Sequence, residues 1–502
     1  MGWGTYGIRT QDGLAHFKYF LEELMMKNKK ILIIIPVALV AFVAVYAGIM
    51  LSGRGITATE LDAQFVQVIE NNGCLQCHAA DPDAFWYQKL PGFTGLFEKD
   101  MTNGYRSIDL EKVVNQINNG EPVNIADVAK IEQSTLNNDM PVIQYTIVHW
   151  GADLNAKEQQ IVYDWVREKR TAHVEAFAAE YNMAMNDAFI SEPVMPLPDP
   201  AMFNVNHQKA MLGLDLFHDT RLSIDSTISC ASCHALDNVG QDSSPHARGV
   251  GSQMGGISAP SVYNAVFNVQ QFWNGREPDL QGQAGGPPVN LIEMGYESFD
   301  DIVAELSKDS TMVARFASIY GAEGITQNSI TDAIAEFERL LVTNNSPFDK
   351  YLLGDKTALT SEEIQGYELF KKNYCATCHV GASMGGQSFE RLGTVLDAAV
   401  YFEERGTEQN GDDQGLFGFT GLEDDRYKYK VPNLRNVALT GPWMHDGTHV
   451  TLEDAVRTMF RFNTPTANPS DETVEKIVLF LNTLNGENEY LDYKNVPSNK
   501  LR

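Results

Sequence analysis

All six cysteines of this 502-residue chain lie in copies of one pattern, Cys-x-x-Cys-His. The copies are CLQCH at 74–78, CASCH at 230–234 and CATCH at 375–379. This spacing is typical of covalent haem c attachment, because two thiols bond one macrocycle while the next imidazole reaches its iron. Zinc binding and a redox dithiol are the alternatives, but three copies that use every cysteine favour haem.

The sequence therefore predicts three covalently bound haem c groups. No cysteine is left over for a disulfide. The residues that would hold the haems are Cys74, Cys77, His78, Cys230, Cys233, His234, Cys375, Cys378 and His379.

An uncharged apolar stretch precedes the first motif. Residues 31–51 are long enough to span a bilayer as a helix, and the lysines of KNKK before them predict that 1–30 stay in the cytoplasm. A cleaved signal peptide is the alternative, but the stretch is long for one and no convincing cleavage site follows. We therefore expect a single-pass protein of the bacterial inner membrane whose haem domains lie in the periplasm, where haem c is attached.

The charge of the chain limits its partners. The formal net charge is −28 at pH 7, and almost all of it falls after the apolar stretch. This charge argues against nucleic acid and anionic lipid headgroups as partners. It would steer a basic, soluble electron donor favourably.

The spacing of apolar residues predicts a mainly α-helical fold with three cytochrome c-like haem domains behind one N-terminal transmembrane helix. The expected bounds are 56–190 for an N-terminal mono-haem domain, 203–345 for the second haem domain and 346–493 for the third. The Pro-rich stretch 192–200 cannot be helical and predicts a linker.

Local signals place individual helices. Thr57 with Glu60, and Thr360 with Glu363, form capping-box patterns that predict the helices leading to the first and third motifs. An amphipathic helix is expected over 155–170.

The second axial ligand of each iron decides what that haem does. An iron with both positions filled passes electrons, whereas an iron with one position free reacts with a small oxidant. For His78, Met140 in NNDMPVIQY is the expected partner, with Met101 and His149 as alternatives. A His/Met iron is coordinatively full, so this haem would be an electron relay.

The other two motifs leave more alternatives open. For His379 the candidates are Met384, Met444, His445 and Met459. Met384 is too close in sequence, and Met459, on a predicted helix capped by Thr451 and Asp454, is narrowly favoured. For His234 the loop HARGVGSQMGG offers His246 or Met254, or leaves the position open.

Four longer stretches between about 206 and 485 resemble the bacterial di-haem cytochrome c peroxidase family. They read LFHDTRLSIDSTISCASCH, SAPSVYNAVFNVQQFWNGREPDLQGQAGGPPVNLIEM, SPFDKYLLGD and VPNLRNVALTGPWMHDG. The additional anchored N-terminal haem segment is similar to the three-haem, membrane-bound branch of that family, which is regarded as drawing electrons from quinol.

The resemblance implies a role for each haem. The haem at His234 would be the peroxide site, and the haem at His379 would be an electron store with Met459 as its axial ligand. MauG-like relatives, which oxidise a partner protein, carry a tyrosine at that position, so Met459 favours a peroxidase. At the position where resting-state members carry a distal histidine, this chain has Val250, which cannot bind iron. Met254 is then preferred to His246 or to an open site.

The resemblance also implies residues that act around the haems. Glu293 and Gln283 match a distal polar pair, in which Glu293 would move the peroxide proton and Gln283 would orient the peroxide. Trp273 matches a tryptophan between two haems. The family holds a calcium ion, for which this chain would offer Ser258, Thr440 and Pro442, with serine in place of the usual asparagine.

Together these observations predict a tri-haem cytochrome c peroxidase that reduces hydrogen peroxide to water. Electrons would enter at the His78/Met140 haem, pass to the His379/Met459 haem and reach the His234 iron. Quinol or a c-type cytochrome would be the donor, and the family analogy implies a homodimer. The alternatives are a MauG-like oxidase of a partner protein and a non-enzymatic multihaem electron-transfer protein.

Overall fold

The structure is a computed structural model, and it describes residues 36–45, 55–82, 94–149 and 152–488. This part of the chain is mainly α-helical, as the sequence predicts, and it contains one small antiparallel sheet. The sheet consists of β1 (Phe389–Arg391) and β2 (Lys428–Lys430), with Phe389 opposite Lys430.

The helices are numbered in chain order. Those before residue 205 are α1 (Leu61–Asn71), α2 (Thr94–Ser107), α3 (Leu110–Asn119), α4 (Ile125–Asn137), α5 (Ile143–Val148) and α6 (Ala156–Glu180). Those up to residue 345 are α7 (His207–Phe217), α8 (Cys230–Cys233), α9 (Leu280–Ala284), α10 (Phe299–Leu306), α11 (Ser310–Tyr320) and α12 (Gln327–Glu338). The remaining ones are α13 (Pro347–Leu352), α14 (Ser361–Lys372), α15 (Cys375–Cys378), α16 (Ala398–Arg405), α17 (Phe417–Thr420), α18 (Leu452–Asn463) and α19 (Asp471–Asn482).

Contacts divide the chain into two compact units. One holds the residues up to Gly73 together with Met140–Glu158, and the other holds Cys74–Asp139 with the residues from Gln159 onward. All three haem motifs begin in the second unit. Within that unit we call residues 74–139, 203–345 and 346–488 the first, second and third haem segments.

The prediction of a membrane-spanning helix over 31–51, and with it an inner-membrane location, is wrong. Among the described residues, no helix has both the length and the apolar content needed to cross a bilayer. The described part of this stretch is helical over 36–45. The rest of it lies outside the described residues, as do the predicted cytoplasmic segment 1–30 and the end of the predicted third domain beyond 488.

Of the two predicted capping boxes, one is confirmed and the other is wrong. The capping box of α14 is confirmed, because Thr360 and Glu363 each accept the other's backbone N–H through their side chains. The box predicted at Thr57 is wrong: α1 begins at Leu61, and the side chain of Gln67 accepts the N–H of Thr57 instead, at 2.9 Å. A glutamine two turns into the helix therefore accepts from Thr57, which is one of the two donors that the box would have used.

Other predicted segments are longer or more tightly packed than expected. The helix expected over 155–170 continues ten residues further, to Glu180. The stretch 192–200 is non-helical up to Pro200, but it is not a loose linker, since Val194, Met195 and Leu197 are buried. The N–H of Leu197 donates to Asp349 at 3.0 Å, which ties the stretch to the third haem segment.

The second and third haem segments share a helix crossing that depends on glycine. Helix α7 crosses α12 at Gly213, where an added Cβ would lie 1.9 Å from the Ala333 carbonyl oxygen. Helix α14 crosses α19 at Gly366, where it would lie 2.0 Å from the Lys476 carbonyl oxygen. In both segments, the helix before the haem motif therefore packs backbone against backbone on the last helix of the segment.

Replacing the glycine at the second crossing should lower stability. In Gly366→Ala the new methyl group collides with main-chain atoms that cannot rotate away, so the two helices must separate. We expect a loss of about 1–3 kcal/mol in the free energy of unfolding, the usual range for overpacking. Denaturant unfolding of the haem-loaded protein measures it.

The matched control is Gly411→Ala, because Gly411 has helical φ and ψ of −63° and −32° and nothing lies within 4 Å of the added Cβ. Equal unfolding free energies for the two variants would contradict the close crossing.

Candidate functional site

The three Cys-x-x-Cys-His motifs adopt one local geometry. In each, the histidine backbone N–H donates to the carbonyl of the first cysteine, at 3.1 Å in 74–78, 2.9 Å in 230–234 and 3.0 Å in 375–379. The cysteines lie on a single helical turn that ends at the histidine. None of the six cysteines forms a disulfide. Both thiols and the imidazole of a motif are thus presented by one compact turn, as attachment of a single macrocycle requires.

The three histidine rings are oriented by backbone carbonyls. In each ring Nδ1 donates to a carbonyl oxygen, which leaves Nε2 as the nitrogen that can bind a metal. The pairs are His78 with Gly104 at 2.9 Å, His234 with Gly240 at 3.2 Å and His379 with Met384 at 3.1 Å.

Burial keeps these rings neutral. It lowers the pKa of His78 and His234, and it lowers the pKa of His379 to about 4. A neutral imidazole with a free Nε2 is the form that binds iron. The residues present therefore fit a haem at each motif.

Glu293 lies on a tight turn at 290–295 and is held by Asn290. The Asn290 side-chain amide donates to Glu293 Oε1 at 2.8 Å, and the Asn290 carbonyl accepts the N–H of Glu293 and of Gly295. Burial raises the pKa of Glu293, and nearby Asp412 raises it further, whereas the Arg276 cation and the Asn290 hydrogen bond oppose the rise. The carboxyl group is thus set up to exchange a proton nearer neutral pH than an exposed glutamate would.

The Glu293 carboxyl is close to the second haem motif. Burial raises the pKa of Cys233 to about 11, with added contributions from the negative charges of Asp242 and Glu293. Gln283, the other predicted distal residue, is half-buried on α9, and α9 contacts the short turn Pro287–Val289 that leads into Asn290. No hydrogen bond joins Gln283 to Glu293 in the part of the chain that the structure describes.

The loop that carries the candidate ligands of the second haem is fastened to the Glu293 turn. The Val250 N–H donates to the Glu293 carbonyl at 2.8 Å, and an added Cβ on Gly249 would lie 1.9 Å from the Ile292 carbonyl oxygen. Met254 is 55% exposed, and the buried Nδ1 of His246 has no hydrogen-bond partner among the described residues. The choice between Met254, His246 and an open position stays a prediction.

Trp273 connects the second and third haem segments. Its indole N–H donates to the Ser258 carbonyl at 2.9 Å, and its own carbonyl accepts the N–H of Lys430 at 2.8 Å. Its ring meets Tyr429 edge-on with centroids 6.4 Å apart. Met459 packs on the same apolar cluster as Trp273. The indole is therefore fixed where the second and third haem segments meet, and its position between two haems stays a prediction.

Among the alternatives to Met459, two are engaged elsewhere. The Met384 carbonyl accepts the Nδ1–H of His379, so this residue lies on the imidazole side of the site. The His445 ring is buried, stacks on Tyr429 at 4.5 Å and contacts Asp413 through Nε2 at 2.9 Å. Met459 lies on α18, whose N-cap is Thr451 with Asp454, as predicted. Its ligation of the third haem stays a prediction.

The pairing of Met140 with His78 also stays a prediction. His78 belongs to the second compact unit and Met140 to the first, where its side chain is 42% exposed. Of the alternatives, Met101 is half-buried on α2, and His149 is buried and stacked on Tyr145 with ring centroids 4.0 Å apart.

The residues predicted to hold calcium lie close in the fold. Ser258 is buried and its N–H donates to the His445 carbonyl at 2.8 Å, three residues beyond Pro442. The Ser258 carbonyl is already used by the Trp273 indole. The carbonyl oxygens of Thr440 and Pro442, with the Ser258 hydroxyl, are the hard donors left for an ion.

The first and third haem segments are in direct contact. Helix α4 packs on α15, the turn that carries Cys375 and Cys378. Lys130 on α4 pairs with Glu390 of β1 at 2.8 Å, and the Tyr374 hydroxyl donates to Asp139 at 2.6 Å. Most of these groups are shielded from water, so the contact is a packed interface within one unit.

Sequence reasoning missed several residues around the site. Arg276 lies in NGRE, where nothing local relates it to a carboxyl seventeen residues later. A buried cluster in the third segment was also missed: Arg405 binds both oxygens of Asp413 at 2.7 and 2.8 Å and contacts Asp446 at 3.1 Å. This arginine already neutralises a group of acidic and histidine side chains that would otherwise suit a metal ion.

Three Cys-x-x-Cys-His turns with oriented imidazoles, one of them near the half-buried carboxyl of Glu293, are typical of a c-type haem protein. The family model "Di-haem cytochrome c peroxidase" matches residues 207–357, and "Haem-binding domain" matches 51–168. Cytochrome c peroxidase Ccp of Escherichia coli (strain K12) is 42% identical over 439 residues, which cover 85% of this chain and 90% of that protein.

Two further relatives match a smaller share of the chain. Cytochrome c551 peroxidase of Nitrosomonas europaea is 42% identical over 62% of this chain and 88% of its own length. Methylamine utilization protein MauG of Methylorubrum extorquens is 30% identical over 64% of this chain and 90% of its own length. The chain belongs to the di-haem cytochrome c peroxidase family and is a haem peroxidase.

Removing the cation beside Glu293 should change the pH at which this carboxyl loses its proton. Arg276 favours the carboxylate, so Arg276→Met should raise the pKa of Glu293 further above its usual value. If the ionised carboxylate is the active base, the acid limb of the pH profile of kcat/KM for peroxide moves to higher pH. Infrared titration of the carboxyl band checks the assignment directly.

Arg315→Met is the control, because Arg315 pairs with Asp215 on an exposed surface of the second segment. An acid limb that stays in place in Arg276→Met, or one that moves equally in the control, would contradict the electrostatic assignment.

Proposed function

We propose that this chain reduces hydrogen peroxide to water at the second haem motif, with Glu293 as the proton-transfer residue. The observation that supports this most directly is the half-buried Glu293 carboxyl near Cys230–Cys233, with a raised pKa and one oxygen held by Asn290. Covalent haem attachment supports a periplasmic setting.

The proton chemistry follows from the two oxygens of Glu293. When bound, the haem iron supplies the electrons that break the O–O bond. Because Oε1 accepts from Asn290, Oε2 is the oxygen that takes a proton from the near peroxide oxygen and returns it to the departing one. Gln283 on α9 would orient the peroxide through its side-chain amide. Movement of the 246–254 loop opens access, and its hydrogen bond to Glu293 couples that movement to the carboxyl.

The proposal includes three haems and a route between them. Electrons enter at the first motif, pass to the third and reach the second. Two observations support this order: the haem-binding match over 51–168 contains both Cys74–His78 and Met140, and α4 packs on the turn Cys375–Cys378. Trp273, fixed between β2 and Ser258, lies on the route from the third segment to the second. Met140 and Met459 would complete the two relay haems.

The donor, the ion and the assembly are further parts of the proposal. The names of the relatives favour a c-type cytochrome as the donor, and quinol is the second candidate. A calcium ion at Ser258, Thr440 and Pro442 would stabilise the turn next to Trp273, and a homodimer follows the family analogy. A MauG-like oxidase of a partner protein is the alternative function, supported by the MauG match. Met459 in place of tyrosine favours the peroxidase.

Neutralising the proposed acid–base residue should abolish turnover without loss of haem. Glu293→Gln keeps the shape and the Asn290 contact but cannot accept a proton. We expect kcat to fall by about 10²–10⁴, the usual contribution of general acid–base catalysis. Peroxide consumption with a reduced cytochrome donor measures it, with haem content determined on the same samples.

Glu297→Gln is the matched control, since Glu297 is an exposed glutamate four residues away. Turnover that survives in Glu293→Gln at full haem content would remove Glu293 from the mechanism.

Intact-protein mass spectrometry tests the number of haems. The wild-type chain should carry three haem c groups, and Cys74→Ser with Cys77→Ser should carry two and lose rapid reduction of the third-motif haem by the donor. Two haems in the wild type, or unchanged reduction in the double variant, would contradict the proposed route.

A further inference from the structure

Lys430, the last residue of β2, is a buried cation without a protein partner. It is 7% exposed, and no hydrogen bond, ion pair or aromatic ring contact reaches its Nζ atom from any residue that the structure describes. Burial lowers its pKa to about 7, and no neighbouring charge contributes to the shift.

Other buried cations of the same unit are paired. Arg435 contacts Asp349 at 2.9 Å, and Lys130 contacts Glu390 at 2.8 Å. Arg405 binds two aspartates, as described above. An ammonium group shielded from water costs several kcal/mol unless an anion compensates it. Lys430 is the exception, and only an anion from outside the polypeptide would keep this amine charged at neutral pH and above.

The backbone around Lys430 leads towards the third haem motif. Its N–H donates to the Trp273 carbonyl at 2.8 Å, and two residues later the Pro432 carbonyl accepts from the ring of His379. Because an extended residue rises about 3.3 Å, the backbone of Lys430 lies roughly 7 Å along the chain from Pro432, whose carbonyl contacts the His379 ring. Lys430 therefore lies in a part of the chain next to the haem that His379 would hold.

Alternation along the strand directs the side chain away from the acidic cluster. Tyr429 faces Asp413 and His445, and successive strand residues point to opposite faces. Lys430 is paired in the ladder with Phe389, whose ring lies against Gly275. The Lys430 side chain therefore leaves the strand on the Phe389 side, opposite to Tyr429 and the acidic cluster.

We propose that Lys430 is a positioning residue whose ammonium group binds a carboxylate of the haem held by His379. Haem c carries two carboxylate groups, and an ammonium that donates up to three hydrogen bonds is a suitable partner for one of them. The inference rests on haem attachment at the third motif and does not require the proposed peroxide chemistry.

The proposed pairing of Lys430 with a haem carboxylate should change the reduction potential of that haem. A positive charge near a haem disfavours the more positive ferric state, so it raises the reduction potential. Loss of the charge leaves the carboxylate uncompensated in the same buried setting. We expect Lys430→Met to shift the oxidation equilibrium of the third-motif haem about tenfold toward the ferric form, which is about 59 mV for one electron.

Spectroelectrochemical titration of the haem-loaded enzyme tests this. Lys430→Arg keeps a cation and should hold the potential close to the wild-type value. Lys428→Met is the matched control: it removes the same charge from the same strand, but Lys428 already pairs with Asp425 at 3.2 Å. A potential that is unchanged in Lys430→Met, or a shift confined to another haem, would overturn the proposal.

A structure of the wild-type, haem-loaded enzyme gives an answer even if Lys430→Met loses haem. Nζ within hydrogen-bond distance of a haem carboxylate supports the proposal, and Nζ bound to water or protein overturns it. Neither readout measures peroxide turnover, so a failure here is distinguishable from a failure of the proposed function.

Discussion

The orientation of three imidazole rings by main-chain carbonyls is the constraint on which the haem sites depend. A histidine that donates from Nδ1 keeps Nε2 free, so the tautomer and the direction of the ring are fixed together. The acceptors are backbone atoms of Gly104, Gly240 and Met384. The ligand geometry is thus a property of the chain path, and the surrounding side chains are left to adjust potential, access and proton supply.

Around the second motif these adjustments oppose one another. Burial favours the protonated Glu293 carboxyl, while Arg276 and Asn290 favour the ionised form. A group held between the two forms can both accept and return a proton, which a fully exposed or fully salt-bridged glutamate does less well. Because the Glu293 carbonyl also accepts the Val250 N–H, the proposed acid–base residue and the 246–254 loop are joined by a backbone hydrogen bond.

The sequence predicts well those features that depend on residues close together in the chain. The haem motifs span five residues and the Thr360–Glu363 box spans four, so spacing alone identifies them. The box at Thr57 failed because the Gln67 side chain, two turns into the helix, takes the same donor. Other features become visible only when distant parts of the chain meet. They are the approach of Arg276 to Glu293, the contact of Gly366 with Lys476, and Lys430, which has no side-chain partner among the described residues. The methionine ligands lie between these cases, since the candidates can be named but not ranked by spacing.

The packing of α4 on the turn Cys375–Cys378 limits how the chain could be shortened. A shorter protein made by cutting the chain ahead of the second haem segment would leave Glu390 without Lys130 and uncover a haem-attachment turn that is now shielded. A chain without the first haem segment would therefore need compensating changes at Glu390 and on the surface of the Cys375–Cys378 turn.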